Sequence, residues 1–78
     1  MECYTYVIRS TVRSYIYVGL SYNPTRRIEQ HNAGNNKKTR AYRPFVILIT
    51  EKHASRADAR MREKYLKSGI GKEFLKTL

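Results

Sequence analysis

The feature that most constrains the fold is the shortness of the chain and of every apolar run within it. With 78 residues, the chain can enclose only one small core, because a domain of this size buries only about 60% of the surface that its unfolded chain exposes. The longest apolar run, FVILI at 45–49, is too short to cross a bilayer. We therefore expect a single domain over residues 1–78 that does not enter membranes.

Three segments have the composition of β-strands. Residues 3–9 and 15–20 are rich in β-branched and aromatic side chains, and the short polar segment between them suits a hairpin. The third segment, residues 45–50, follows Pro44 and is apolar on both faces. A strand that is apolar on both faces is typical of the centre of a sheet, so we expect the third strand to be central.

Between the second and third predicted strands, the sequence carries residues that favour the start and the end of a helix. Asn23 is a suitable N-cap, and Pro24 is favoured at the first helical position because its missing N–H is not needed there. Gly34 can end the helix in a left-handed conformation. Residues 34–43 are polar and basic, and their composition predicts a loop.

Two further helices are predicted near the C-terminus. Ser55 and Asp58 resemble a capping box at the start of a helix over 56–67. Its apolar stripe is expected to consist of Ala57, Met61 and Tyr65. A break at 68–71 precedes a short last helix over 72–78. The order β-β-α-β-α-α predicts an α/β (α+β) fold, in which helices flank a three-stranded, mainly antiparallel sheet.

The charge balance favours a polyanionic partner. Sixteen Lys and Arg oppose six Asp and Glu, which gives a net charge of +10. Nucleic acid is the first expectation, and a basic surface for solubility or for acidic lipid is the alternative. In the loop, phosphate contacts and one stacking aromatic are expected from Lys37, Lys38, Arg40, Tyr42 and Arg43. A solvated, flexible loop is the alternative there.

The number of cysteines and the composition of residues 1–10 indicate the cellular location that we expect. Cys3 is the only cysteine, so neither a disulfide framework nor a cysteine zinc site can form within one chain. Residues 1–10 contain no long apolar run, and we therefore expect no signal peptide and a cytoplasmic location. We also expect a monomer.

Five residues could supply the parts that phosphodiester cleavage requires, namely a base, a cation for the phosphate and a carboxylate for a metal. If Tyr6 and Tyr17 face each other across the hairpin, their side chains share one side of the sheet. Arg27 and His31 are four apart and share a helix face. Glu63 is the only acid among the charged residues near it, Arg60, Arg62, Lys64 and Lys67.

These residues also carry a family resemblance. The tripeptides Tyr4-Thr5-Tyr6 and Tyr17-Val18-Gly19, followed in order by Arg27, His31 and Glu63, resemble the motifs of the GIY-YIG nucleases. The segments TRAYRPF and RADARMREKYLKSGIGKEFL are similar to small bacterial members, which are related to the N-terminal nuclease domain of an excinuclease. The first tripeptide keeps only its Tyr, and Leu20 stands where some members carry a lysine that helps the base.

The resemblance implies a metal-dependent endonuclease that hydrolyses phosphodiester bonds in nucleic acid, with DNA as the first expectation. Tyr6 or Tyr17 would activate or orient water, with His31 as the alternative base. Arg27 would stabilise the phosphate, and Glu63 would bind one Mg²⁺ or Mn²⁺ ion. Other members usually carry a separate recognition domain, so a protein that delivers the substrate is an expected partner. The alternatives are a catalytically lapsed binding module and an interaction subunit of a DNA repair assembly.

Each of three site residues also has a purely structural alternative. Arg27 could be a solvated arginine, and His31 could serve only a helix-end hydrogen bond. Glu63 could form an exposed i,i+4 pair with Lys67, which would contribute roughly 0.3–0.5 kcal/mol to helix stability.

Overall fold

The computed structural model describes residues 1–78 and contains one three-stranded antiparallel sheet with three helices. The strands are β1 (Cys3–Ser10), β2 (Ile16–Ser21) and β3 (Phe45–His53), and the helices are α1 (Pro24–Ala33), α2 (Arg56–Lys67) and α3 (Gly69–Leu75). A short 3₁₀ turn, Arg40–Tyr42, lies in the loop before β3. The predicted fold class and element order are confirmed. None of the helices is long and apolar enough to span a membrane.

The central strand is β1, so the prediction that the third strand is central was wrong. The strand order is β2-β1-β3, and β1 pairs antiparallel with both neighbours. β1 is buried on both faces although it carries polar side chains, because those side chains find partners: the Thr5 hydroxyl donates to the Ala59 carbonyl at 3.3 Å. β3 lies at the edge, where Val46 and Ile47 remain exposed.

The hairpin register differs by two residues from the direct pairing of Tyr6 with Tyr17. Tyr6 pairs with Gly19, and Tyr17 pairs with Ile8. The hairpin centres between Val12 and Arg13, one residue later than the direct pairing would place it. In the loop, the Ser10 hydroxyl accepts hydrogen bonds from the backbone N–H groups of Val12 and Arg13, at 3.2 and 3.0 Å. Since side chains alternate with a period of two, an even shift leaves both tyrosines on the same side of the sheet, as predicted.

The sheet has two differently covered faces. Tyr6 and Ile8 point to one face, which we call the tyrosine face, where they pack with Ile28 of α1 and with Phe45. Val7 points to the opposite face, which we call the helix-pair face, where the core is completed by Val18, by Leu66 of α2 and by Leu75 of α3. The two small cores therefore share the central strand between them.

Helix α1 forms where its capping signals predicted. The Asn23 side chain accepts a hydrogen bond from the backbone N–H of Arg26 at 3.1 Å, and Pro24 occupies the first turn. Gly34 ends the helix with φ of 84°, a left-handed value that a residue with a Cβ adopts only at a cost.

Helix α2 has the predicted bounds but a different buried side. The predicted stripe of Ala57, Met61 and Tyr65 is exposed, and Met61 is 71% accessible. The buried side is formed instead by Ala59, Glu63 and Leu66. The small Ala59 lets the helix approach β1 closely enough for its carbonyl to accept from Thr5. The rotation of the helix about its axis is therefore set by this close contact.

Helix α3 starts three residues before the predicted last helix. The Ser68 hydroxyl accepts a hydrogen bond from the backbone N–H of Gly71 at 3.2 Å and so caps a helix that begins at Gly69. Gly71 lies directly against the backbone of Tyr65 and Leu66, where a Cβ would collide. The glycine-rich segment was predicted to be a break, but it lets α3 start immediately after α2 and fold back against it.

Candidate active site

A chain of hydrogen bonds lies beneath the tyrosine face. The Tyr6 hydroxyl is 3.0 Å from His31 Nε2, and His31 Nδ1 is 2.9 Å from the Thr39 hydroxyl. All three side chains are buried. Burial, followed by the nearby Arg27 guanidinium, lowers the pKa of His31. The imidazole is therefore neutral near pH 7, with one ring nitrogen that donates and one that accepts.

Tyr6 itself is held as a phenol. Burial, and after it the neighbouring Tyr17, raises the pKa of Tyr6 to about 12, although the Arg27 guanidinium opposes the rise. A phenolate at this position is therefore scarce at neutral pH. Tyr6 can still pass a proton along its hydrogen bond to His31 while it remains a phenol overall.

Tyr17 is the more exposed of the two motif tyrosines. Its ring centroid lies 6.1 Å from that of Tyr6 and 4.8 Å from that of His31. The structure thus brings Tyr6, Tyr17 and His31 into one cluster, with the Tyr17 ring on the solvent side. A substrate that approaches this cluster would meet Tyr17 first.

Gly19 makes room for the cluster. A Cβ at this position would lie 2.6 Å from the Tyr6 hydroxyl oxygen and 2.9 Å from a ring carbon of Tyr17. Distances this short mean that any side chain at position 19 would displace the phenols. Gly19 was not predicted as a site residue, although its place at the end of the second tripeptide is a signal that could have identified it.

Arg27 borders a wholly polar pocket beside the cluster. The pocket has a volume of about 290 Å³ and is lined by Arg27, Gln30, His31, Asn35, Asn36 and Lys37. An Arg27 guanidinium nitrogen donates to the Gln30 side-chain oxygen at 3.2 Å. Two cations and several amides around one cavity suit a phosphate. Gln30, Asn35 and Asn36 of this lining were not predicted as site residues, and neither was Thr39, which is buried behind His31 and does not line the pocket.

The predicted basic loop contributes unequally to the site. Lys37 reaches the polar pocket, whereas Lys38 and Arg40 are exposed and the Arg43 guanidinium lies against Gly34 at the end of α1. The Tyr42 ring stacks on Tyr15, with centroids 4.0 Å apart and planes inclined by 11°. One face of Tyr42 is therefore already covered, so a nucleic-acid base could stack only on its other face.

Glu63 belongs to the helix-pair face and not to the tyrosine cluster. Its carboxylate accepts from a guanidinium nitrogen of Arg60 at 2.8 Å and from the Lys67 ammonium at 3.3 Å, and it makes no other hydrogen bond. The Glu63 side chain is only 8% exposed. The expected i,i+4 pair with Lys67 is present, but the expectation of an exposed pair was wrong, because the Glu63 side chain is buried.

The ion-pair partner of Glu63, Lys67, lies near the tyrosine cluster only in the sense that both border one groove. Lys67 also lines a groove at the outer edge of β2, and Tyr17 lines the same groove. The structure therefore brings Tyr6, Tyr17, Arg27 and His31 together, whereas Glu63 lies outside this cluster.

A metal ion would find few protein ligands here. No group of three or more His, Cys, Asp or Glu side chains converges anywhere in the chain. The Glu63 carboxylate could hold an ion such as Mg²⁺, which usually keeps several waters and takes one or two carboxylates together with substrate phosphates. Each of its oxygens already accepts one hydrogen bond, from Arg60 or from Lys67, so these two cations compete with a metal ion for the carboxylate.

Comparison with known proteins shows which family the chain resembles. The GIY-YIG catalytic domain matches residues 2–74. The UPF0213 protein SH2523 of Staphylococcus haemolyticus is 33% identical over 76 residues, which cover 96% of this chain and 92% of that protein. The UPF0213 protein NP_0776A of Natronomonas pharaonis is 36% identical over 66 residues, which cover 83% and 76%.

A solved structure is similar over the same range. The solution NMR structure of the UPF0213 protein BH0048 from Bacillus halodurans matches with a TM-score of 0.59 and 30% identity, covering 99% of this chain and 84% of that one. The family match spans nearly all of the chain and contains both motif tyrosines, Arg27, His31 and Glu63. This chain therefore belongs to the GIY-YIG family, whose catalytic domain is that of a family of nucleases.

Proposed function

We propose that this protein is a metal-dependent endonuclease that hydrolyses phosphodiester bonds, with DNA as its substrate. The observation that supports this most directly is the buried chain from Tyr6 through His31 to Thr39, which lies beside Tyr17 and the polar pocket of Arg27. A purely structural tyrosine cluster would need neither a neutral imidazole in a hydrogen-bonded chain nor an adjoining cavity lined only by polar residues.

In this proposal the chain of hydroxyl and imidazole groups moves a proton. Tyr17, the more exposed phenol, orients the attacking water. As the water oxygen bonds to phosphorus and the bond to the leaving oxygen breaks, the water proton passes to the Tyr6 oxygen and the Tyr6 proton passes to His31 Nε2. The imidazolium so formed, whose Nδ1–H donates to Thr39, then returns its proton to solvent through Tyr6. A phenol with a pKa of about 12 acts better as a relay than as the base. The relay removes the need for a lysine at the position of Leu20.

The charged residues act on the phosphate. Arg27 donates from its planar guanidinium to the oxygens on which negative charge develops. A divalent ion held by Glu63 would polarise the phosphoryl oxygens and stabilise the leaving oxygen. Glu63 becomes available when Lys67 or Arg60 leaves its carboxylate, and an incoming phosphate is an alternative partner for either cation.

The experiment is a cleavage assay on branched, single-stranded and duplex substrates with Mg²⁺, with Mn²⁺ and with EDTA. The proposal requires cutting that EDTA abolishes and that either ion restores. The matched variants are Tyr17→Phe, which removes only the hydroxyl, and Tyr22→Phe, which removes a hydroxyl from an exposed tyrosine outside the cluster. Equal activity of the two variants would contradict the role of Tyr17.

A second candidate function is binding of nucleic acid without cutting. It is favoured by the two cations on the Glu63 carboxylate, which compete with a metal ion. In that case nucleic acid would bind with a steep dependence on salt and would stay intact in Mg²⁺. Absence of both binding and cutting would favour an interaction subunit. For the endonuclease we propose a cytoplasmic monomer in DNA repair, to which a partner protein delivers the substrate.

A further inference from the structure

A second cavity lies beside the active site, at the outer edge of β2. The groove has a volume of about 470 Å³ and is the largest in the molecule. Its floor consists of aliphatic side chains from β2, α2 and α3, together with two aromatic rings, and six of its ten lining residues are hydrophobic. These six are Tyr15, Ile16, Tyr17, Val18, Leu66 and Leu75.

The charges around this groove are all positive. Lys67, Lys72 and Lys76 line it, and no acidic residue does. Lys67 and Lys76 each pair with a carboxylate, at 3.3 and 3.2 Å, whereas Lys72 makes no ion pair. An apolar and aromatic floor between lysine side chains is the arrangement that nucleic-acid strands with exposed bases bind.

The groove is continuous with the active site through Tyr17. The Tyr17 ring lines the groove and lies 4.8 Å from the His31 ring, and His31 lines the polar pocket on the other side together with Arg27. A strand whose phosphate lies over Tyr17 and His31 would therefore reach the polar pocket in one direction and the lysine groove in the other.

We propose that the groove between β2 and α3 binds an unpaired stretch of the substrate strand next to the phosphate that is cut. Its bases lie on Tyr15 and the aliphatic floor, and its phosphates lie against Lys72 and Lys76. A fully paired duplex fits poorly, because its bases are stacked inside and only its backbone could meet the apolar floor. The inference rests on the proposed nuclease function but is tested separately, by binding without metal.

The test uses two double variants that remove the same charge. Lys72→Gln with Lys76→Gln alters the groove, whereas Lys52→Gln with Lys64→Gln alters exposed lysines elsewhere. Fluorescence anisotropy in EDTA measures binding to a labelled oligothymidylate of about 12 nucleotides, a length within the range of known single-strand sites, and to a blunt duplex of the same length. EDTA prevents metal-dependent cutting, so binding alone is measured.

We expect the groove variant to bind the single strand about tenfold more weakly, with a smaller salt dependence, because each lost phosphate contact lowers the slope by roughly 0.7. The control variant should change by less than about twofold, and both should bind the duplex alike. Equal losses in both variants, or an unchanged affinity of the groove variant, would overturn the proposal. The groove would then be expected to bind a different partner, such as an extended peptide.

Two combined results separate this inference from the proposed function. If the wild-type protein cuts nucleic acid but both double variants bind and cut alike, the groove assignment fails and the nuclease function stands. If the groove variant alone loses single-strand binding although the wild-type protein does not cut in either metal, the groove assignment stands and the nuclease function fails.

Discussion

The two faces of the sheet stabilise their buried polar groups in different ways. On the tyrosine face, neutral groups bond to one another, and Tyr6, His31 and Thr39 form a chain in which no charge is buried. On the helix-pair face, the one buried charge, that of Glu63, is compensated by Arg60 and Lys67. The neutral chain is stable without any compensating charge, whereas departure of Arg60 or Lys67 would leave the charge of the buried Glu63 carboxylate less compensated.

This difference divides the proposed chemistry between the faces. The tyrosine face has its geometry in place, since distances of about 3 Å already join the phenol to the imidazole. On the helix-pair face, a metal ion would have to compete with Arg60 and Lys67 for the Glu63 carboxylate. The following changes test this division, from the largest expected effect to the smallest.

Glu63→Gln tests whether the helix-pair face takes part in catalysis at all. The amide keeps the size of the side chain but removes the charge that would hold the metal, so single-turnover cleavage should be abolished. The variant should also lose about 1–2 kcal/mol of unfolding free energy, since charge-assisted hydrogen bonds contribute roughly 1.5–3 kcal/mol and the two cations are half exposed. Cleavage and thermal melting are measured on the same preparation.

The control for this variant is Glu73→Gln, which removes an exposed acid paired with Lys76. It should alter neither cleavage nor the melting temperature. If Glu63→Gln remains folded at the assay temperature and cleaves at the wild-type rate, the helix-pair face plays no part in catalysis and Glu63 is only structural.

Arg27→Lys tests the cation of the tyrosine face. Lysine keeps the charge but loses the planar guanidinium that can bond two phosphate oxygens, and loss of one such contact costs on the order of 10²–10³ in rate. Folding should be unaffected because Arg27 is exposed. Arg26→Lys, at the adjacent exposed position, should cleave normally, and equal rates for the two variants would contradict the assignment of Arg27 to the phosphate.

Gly19→Ala tests how closely the tyrosine face is packed. The added methyl would lie 2.6 Å from the Tyr6 oxygen, so the phenol must move, and a displacement of about 1 Å typically costs about 10² in rate. Overpacking should also lower the unfolding free energy by about 1–3 kcal/mol. Gly69→Ala is the matched control, because a Cβ there meets nothing within 4 Å; a similar loss in both variants would remove the steric argument.

Most residues of the tyrosine face could be predicted from the sequence, because their positions depend on the geometry of one hairpin and one helix. Tyr6 and Tyr17 lie on strands, where a period of two keeps both on one side even after the register shifted by two residues. Arg27 and His31 share one helix whose ends are fixed by Asn23 and Gly34. Thr39 could not be predicted, because its bond to His31 depends on how the loop folds back.

The lowered pKa of His31 predicts a dependence of stability on pH. The unfolded chain binds a proton at His31 near pH 6.5, but the folded protein does so only at lower pH because burial and Arg27 oppose the charge. The stabilisation is therefore complete above pH 6.5 and is lost as the pH falls below that value. The melting temperature should fall between pH 7 and pH 5.5.

Two variants identify the group responsible for this pH dependence. His31→Gln should melt at a lower temperature at pH 7 but should lose less stability on acidification than the wild-type protein does. His53→Gln, which removes the other histidine of the chain, serves as the control and should keep the wild-type dependence. If both variants retain the full decrease between pH 7 and pH 5.5, a different group is responsible.

The helix-pair face was less predictable, because long-range contacts decide it. The apolar run of β3 indicated a central strand, yet β3 is at the edge because β1 hydrogen-bonds on both sides. In α2, the spacing of Ala57, Met61 and Tyr65 satisfies the helical period, but so does that of the side that is buried. Only the contact of Ala59 with β1 selects between them, and it joins residues 54 apart in sequence.

Met61→Gln tests this last assignment and should have the smallest effect. Met61 is 71% exposed, so a polar side chain of similar length should change the unfolding free energy by no more than about 0.5 kcal/mol. Leu66→Ala, on the buried side of the same helix, should lose about 2–5 kcal/mol because it leaves a cavity beside Val7 and Val18. Urea denaturation measures both, and a loss above about 2 kcal/mol in Met61→Gln would mean that the predicted stripe is buried after all, in the fold or in an oligomer that covers it.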